Sequence, residues 1–395
     1  MRLLSLVGRY RYCFVGAASI LIALVNQHVV PTDYFPFSDA GRLLWHGSWG
    51  SVFVDKTIQA GPIQLALVAA FRPLAAFHLD IAALHVVGSV AMGCGLMWAA
   101  GRLRLTAGLP RAPQLELVVA LLAIWCGLVD DNSALGHPAQ VVVPLLWMFA
   151  ATAARRDEPI AAGVALAAAT GFETWALLGI GALLLSPSMR TAARAAAVAC
   201  AAGVALWLPF VLGGPFNMMR MQWNVVPDTL VARLFGGTTF TSTMRLTQLV
   251  IALAVSAVAA VVCRRSTSSI WLVPMTAVVA RLAFDPLQFS YYWVAPLTLA
   301  LLALSCTVEF RRPSTLGILA LMYCQVIAYD GTAKELMIGA SVGLLVVATY
   351  GARRRAAKAP QHSYGDRYAD EGLDMRSEHV VESPEFEVAE TLIAF

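Results

Sequence analysis

The sequence predicts an all-α polytopic membrane protein of about 12 transmembrane helices, roughly 10 to 13 in range, with an outer-face interfacial helix in its first loop. Three observations predict it. Of the 395 residues, 59% are hydrophobic and only 13% are charged, and mean hydropathy is +0.69; soluble domains carry about 25% charged residues. The apolar runs are long and unbroken, as at 192–212, 246–263 and 293–306, where barrel strands would alternate apolar and polar residues. Lipid offers the backbone no hydrogen bonds, so such runs must satisfy themselves as helices. Arginines, finally, cluster between the runs, as they do on the cytoplasmic side of membrane proteins. These features exclude an ordinary soluble enzyme, a disordered chain and a nucleic-acid binder. The net charge of +4 reflects membrane-flanking arginines rather than a basic binding face.

Taken in order, Arg2, Arg9 and Arg11 precede a run that ends on Asn26-Gln27-His28. That ending lacks the small residues of a cleavage site, so the run is read as a retained first span. The expected spans are 12–30, 82–101, 114–129, 138–154, 159–170, 172–186, 192–214, 246–263, 270–284, 290–306, 314–329 and 334–351. The loops holding Arg102, Arg104 and Arg111, Arg155-Arg156, Arg190 and Arg194, Arg264-Arg265, Arg311-Arg312 and Arg353-Arg354-Arg355 then share the cytoplasmic side with both termini. The condition is that residues 62–77, which carry Arg72 and Pro73, do not cross but lie in the outer interface or re-enter partway. The same charge rule divides 159–186 into two short helices meeting near Gly171. Loops 31–81, 130–137, 171–174, 215–245, 285–289 and 330–333 gather at the outer face of a plasma-membrane protein.

Two domains are expected: a transmembrane domain over 1–351, and a basic juxtamembrane stretch with an acidic cytoplasmic tail over 352–395. Within 359–395, nine acidic residues face only Arg367 and Arg376, a composition that reads as disordered and suited to contact a protein partner. The halves show no transporter-like repeat. The seven cysteines form no C-x-x-C and no cluster with histidine, so they read as small buried hydrophobes.

The first outer loop, 31–47, is the richest in chemistry. A carboxylate just past a first span can accept a proton from a hydroxyl at the membrane surface; Asp33 and Asp39 are the candidates, with helix capping by Asp33 or Ser38 the alternative. Asp130, Asp131 and His137 form a second group, able to bind a divalent cation or position an acceptor, or else a hydrated turn before Pro138. Glu173 stands between apolar stretches, where a carboxylate must be paired or face a cavity. Arg245 suits a lipid phosphate through bidentate contacts, against the alternative of interfacial snorkelling. Arg281 precedes Asp285 by four residues and can pair with it or neutralise a phosphate. Tyr291, Tyr292 and Trp293 fit an aromatic belt. No nucleotide-binding or H-E-x-x-H motif is present, so a donor would be reached from the membrane, and no cofactor is called for.

In their order these motifs resemble the GT-C superfamily of polyprenyl-phosphate-sugar-dependent membrane glycosyltransferases, most of all its actinobacterial mannosyltransferase branch. The residues are Asp33, Phe37, Ala40-Gly41, Leu43-Leu44 and Gly47; the Pro-led segment 62–77; Gly136-His137-Pro138-Ala139-Gln140; Ala162-Gly163; residues 172–178 and 208–212; and Arg281 with Asp285-Pro286 and Tyr291-Tyr292-Trp293. Phe37 stands where the family has Tyr, and Glu173 where it often has Lys. The resemblance covers about residues 12–350. It implies an inverting transfer of a mannose-like sugar from a polyprenyl-phosphate donor to a lipid or cell-envelope glycan acceptor. Asp33 would be the general base, and Arg245 or Arg281 would stabilise the leaving phosphate. Asp39, Asp130, Asp131, His137, Glu173 and Tyr292 would contribute to substrate binding. The competing readings are a transporter or flippase of a lipid-linked intermediate, and an inactive scaffold of the same fold.

Overall fold

The computed structural model describes residues 8–306, apart from 32, 130–136, 228, 238, 265, 267, 268 and 288, together with residue 343. The expected spans 314–329 and, apart from residue 343, 334–351, the tail 352–395, and Asp130 and Asp131 lie outside the described residues. Among the described residues the chain is helical, and its β-structure is limited to two isolated bridges, Ala60 with Glu173 and Asn224 with Thr239.

Among the described residues three helices are long and apolar enough to cross a membrane: α4 (Asp80–Thr106), α8 (Met189–Gly213) and α10 (Ser242–Cys263). Their 27, 25 and 22 residues reach beyond the ~30 Å hydrocarbon core at about 1.5 Å per residue. The other helices in this part of the chain are shorter: α1 (Arg11–Asn26), α5 (Pro113–Trp125), α6 (Ala139–Arg155), α7 (Pro159–Phe172), α9 (Leu230–Phe235), α11 (Leu272–Ala283) and α12 (Val294–Leu304). The 13 residues of α5 rise only about 20 Å. The chain is thus a helical membrane protein; among the described residues three helices have the length and composition to cross, and several shorter apolar helices accompany them. α1 stops at Asn26, ahead of the expected 30, where the sequence turns polar. α4 extends past both expected ends and α8 past its expected start, with Asp80, Arg104 and Arg190 accommodated at helix termini.

The region 159–186 divides at Glu173, whose extended backbone (φ −151°, ψ 147°) ends α7. The second piece, Thr174–Leu185, is a 3₁₀ helix rather than an α-helix. It packs against α6, α7, α10 and α11. Gly179 makes this fit possible: a Cβ there would lie 2.2 Å from the Trp147 indole nitrogen, which donates to the Ala176 carbonyl at 2.8 Å. α8 lies along α7, α7 along α6, and α10 along α11, while α12 contacts α4, α5 and α6.

The first loop folds as α2 (Tyr34–Trp45) and α3 (Pro62–Ala70), followed by a 3₁₀ turn over Arg72–Phe77. α3 packs on α2. At nine residues it spans about 13 Å, under half the hydrocarbon thickness. A separate apolar core of Tyr34, Phe37, Phe53, Leu65, Phe210 and Met218 seats this loop on α8.

Candidate functional site

A cavity of about 800 Å³ opens where the first loop, the start of α6, the α7 break, α10 and the end of α11 converge. Asp33, His137, Glu173, Arg245, Arg281 and Tyr292 all line it. Of the remaining expected residues, Asp39 is exposed on α2, 4.0 Å from Arg42 and 3.9 Å from Arg72, and does not line the cavity.

Asp33 is the residue that starts α2, as the capping alternative requires, yet its side chain makes no capping hydrogen bond. Its Oδ2 instead faces Nε2 of His137 at 3.2 Å. The backbone behind it is tied down by its neighbour: buried Tyr34 donates to Oδ2 of Asp80 at 2.5 Å, joining α2 to the start of α4. Burial and the Asp80 carboxylate push the Tyr34 phenol up to about 12, so it stays a donor at neutral pH. His137 stacks on Tyr291, with centroids 4.1 Å apart and planes at 5°. Tyr291 stacks in turn on Phe289 at 5.4 Å and 8°. Burial lowers the His137 basicity, opposed by the Asp33 charge.

Glu173 reaches the cavity because the chain is pinned on both sides of it. Ala60 and Glu173 form one of the two bridges, and the Gly61 N–H donates to the Phe172 carbonyl at 2.7 Å. Only glycine fits at 61, since a Cβ would lie 2.3 Å from the Gly171 carbonyl oxygen. The Glu173 carboxylate accepts a hydrogen bond from the Trp175 indole N–H.

Arg281 is buried near the end of α11. Its guanidinium lies over the Trp175 ring at 4.1 Å and the Tyr292 ring at 4.9 Å. Its Nε is 3.7 Å from Oδ2 of Asp285, and its Nη1 is buried without a hydrogen-bond partner. Asp285 holds its own loop by accepting from the Leu287 N–H at 3.0 Å. Burial pushes its carboxyl up to about 6, with Arg281 pulling the other way. The second arginine is differently placed: Arg245 donates to the Met221 carbonyl at 2.5 Å and lies over Phe240 at 5.7 Å. Gln140 adds a second orphan, a buried Oε1 without a partner, also on the cavity wall.

The arrangement has a carboxylate with a histidine at one part of its wall and a buried, incompletely paired cation at another. Such a pair can remove a proton from one bound group and stabilise negative charge on another. Among the described residues no three His, Cys, Asp or Glu side chains are placed to hold a metal ion. Sequence reasoning missed Tyr291 as a wall for His137, Gly61 as the anchor of Glu173, and Gln248, which donates to the Arg281 carbonyl at 3.0 Å. The chain matches no protein-family model, and no curated protein matches it.

Proposed function

We propose that the chain is a membrane glycosyltransferase that moves a mannose-like sugar from a polyprenyl-phosphate donor to a lipid or cell-envelope glycan acceptor. Its site faces the outer side of the plasma membrane in this reading, with both termini cytoplasmic. The observation that carries it is the shared cavity: Asp33 and the unsatisfied guanidinium of Arg281 line the same hollow. A burial that leaves an arginine nitrogen without a partner is costly, and an oxyanion of the ligand would supply the missing acceptor.

In the reaction, an acceptor hydroxyl oxygen attacks the anomeric carbon while Asp33 takes its proton. The bond from that carbon to the phosphate oxygen breaks, and polyprenyl phosphate leaves with the electron pair. The attack comes from the face opposite the leaving group, so the configuration inverts. Arg281, lying over two aromatic rings and sparing Nη1, is the better phosphate anchor of the two arginines; Arg245 is already engaged by the Met221 carbonyl. Glu173 and Tyr292 then shape the pocket around the sugar and the guanidinium.

The test is a comparison of glycolipids from cells carrying the intact gene, lacking it, or carrying Asp33→Asn. One product should disappear in both altered strains while its polyprenyl-phosphate donor accumulates. Identical profiles in all three strains refute the reading.

A further inference from the structure

Asp33, Arg281, Glu173 and Tyr292 have roles in the proposed reaction; His137 has none there, and it does not need to touch substrate to account for its surroundings. Its Nε2 lies 3.2 Å from Oδ2 of Asp33, at ion-pair distance. Its ring plane is fixed by the parallel stack on Tyr291, which is itself backed by Phe289. One short 3₁₀ turn, Ser290–Trp293, therefore serves both parts of the wall: Tyr291 backs the histidine and Tyr292 covers Arg281. The two tyrosines meet edge to face at 4.7 Å.

From this geometry we infer that His137 is the positioning residue of Asp33: a neutral imidazole whose Nε2–H holds Oδ2 and leaves Oδ1 to receive the acceptor's proton. The inference rests on the transferase reading and sharpens it. A neutral imidazole has one donor nitrogen and one acceptor nitrogen, and an ionised carboxylate can only accept, so the proton must sit on Nε2. Held this way, Asp33 cannot swing into the capping position that its place at the start of α2 offers. The ionisable groups lining the same cavity are Asp33 on α2, Glu173 after α7, Arg245 on α10, Arg281 on α11, and Asp285, Tyr291 and Tyr292 beyond it. Among the described residues, Asp33 is the carboxylate within ion-pair distance of His137.

The experiment is nitrogen-15 histidine NMR on the full chain in lipid nanodiscs. The His137 signals are identified among the seven histidines by their loss in His137→Gln. At pH 7.5 the expected species is neutral with its proton on Nε2. Asp33→Asn should lower the titration midpoint, because the carboxylate that favours the charged ring is gone. Tyr291→Leu, which opens the stack, should raise it. A proton on Nδ1, or a midpoint that ignores Asp33→Asn, overturns the inference.

A parallel assay uses polyprenyl-phosphate mannose as the donor probe. His137→Gln keeps a donor near Oδ2 and should retain transfer within about tenfold of wild type, with its acid limb displaced, whereas His137→Ala should lose about 10²-fold through misplacement of the base. Equal losses and unshifted pH profiles in both variants mark His137 as merely structural and contradict the inference. If the NMR behaves as expected while wild type transfers nothing, the pairing stands and the transferase reading falls. If wild type transfers and the midpoint stays fixed, the reverse holds.

Discussion

Glu116 on α5 takes two hydrogen bonds from Arg111, at 2.7 and 2.8 Å, with Arg11 3.6 Å away. Glu158 binds Arg102 at 2.9 Å and Arg156 at 3.1 Å. Buried Arg104 ends on the carbonyls of Pro110 and Ser305. In the cavity His137 stands 3.2 Å from Asp33, and Arg281 reaches Asp285 only at 3.7 Å. Single nitrogens lack a hydrogen-bond partner in both regions, Nε of Arg11 and Arg102 as well as Nη1 of Arg281. The difference lies in what the rest of each guanidinium does. Around α4, α5 and α7 each of these groups has a carboxylate or carbonyl at close range; Arg281 has rings on its faces, Asp285 at 3.7 Å and the Glu173 carboxylate within electrostatic reach. The contrast teaches that charges holding helices together are matched by close polar partners, whereas in the cavity Arg281 is held by aromatic rings and more distant carboxylates.

Breaking the cavity side should cost most. Asp33→Asn removes the proton acceptor and should lower transfer by about 10²–10⁴-fold, measured as initial rate with membrane insertion verified by protease protection. Arg281→Lys keeps the charge but loses the planar fork over Trp175 and Tyr292. It should cost about 10²-fold or more in rate, with a smaller change in donor affinity. The pH profile sharpens the same comparison. Burial places the His137 midpoint below the ordinary 6.5, so transfer should fall only as pH drops beneath that value, when the ring charges and draws on Asp33. A wild-type rate already falling between pH 8 and 7 counts against this.

Asp285 offers a finer test. Its carboxyl, pushed up to about 6, is neutral below that pH and ionised above it. Ionisation partly neutralises Arg281, so binding of inorganic phosphate should weaken as pH rises through about 6, and Asp285→Asn should flatten that step. At the small end, Asp39→Asn removes exposed pairs at 3.9 and 4.0 Å and should change stability by less than about 1 kcal/mol, with the transfer rate unchanged.

How much of this was legible depended on cost. Glu173 and Arg281 stood out because ionisable residues near lipid are expensive and seldom incidental, and Asp33 and His137 because they fall in loops beside the ends of apolar runs. Asp39 and Arg245 were read from their places at the membrane surface, which cannot show that Asp39 points to solvent beside Arg72 or that Arg245 meets a backbone carbonyl. Tyr291 was indistinguishable from an interfacial aromatic, since its role depends on a stack between residues 154 positions apart in sequence (137 and 291). Gly61 carried no signal because its contact with Gly171 is set by tertiary approach. The helix 174–185 was legible as helical, but its apolar sequence has no polar period from which to tell a 3₁₀ winding from an α winding.

The most direct measurement is transfer by the purified full chain in nanodiscs, with radiolabelled polyprenyl-phosphate mannose and a membrane lipid extract as acceptor. The account predicts a labelled glycolipid made by wild type and reduced at least a hundredfold in Asp33→Asn of equal fold and yield, on the order expected for loss of a general base. Equal product from both proteins would contradict it.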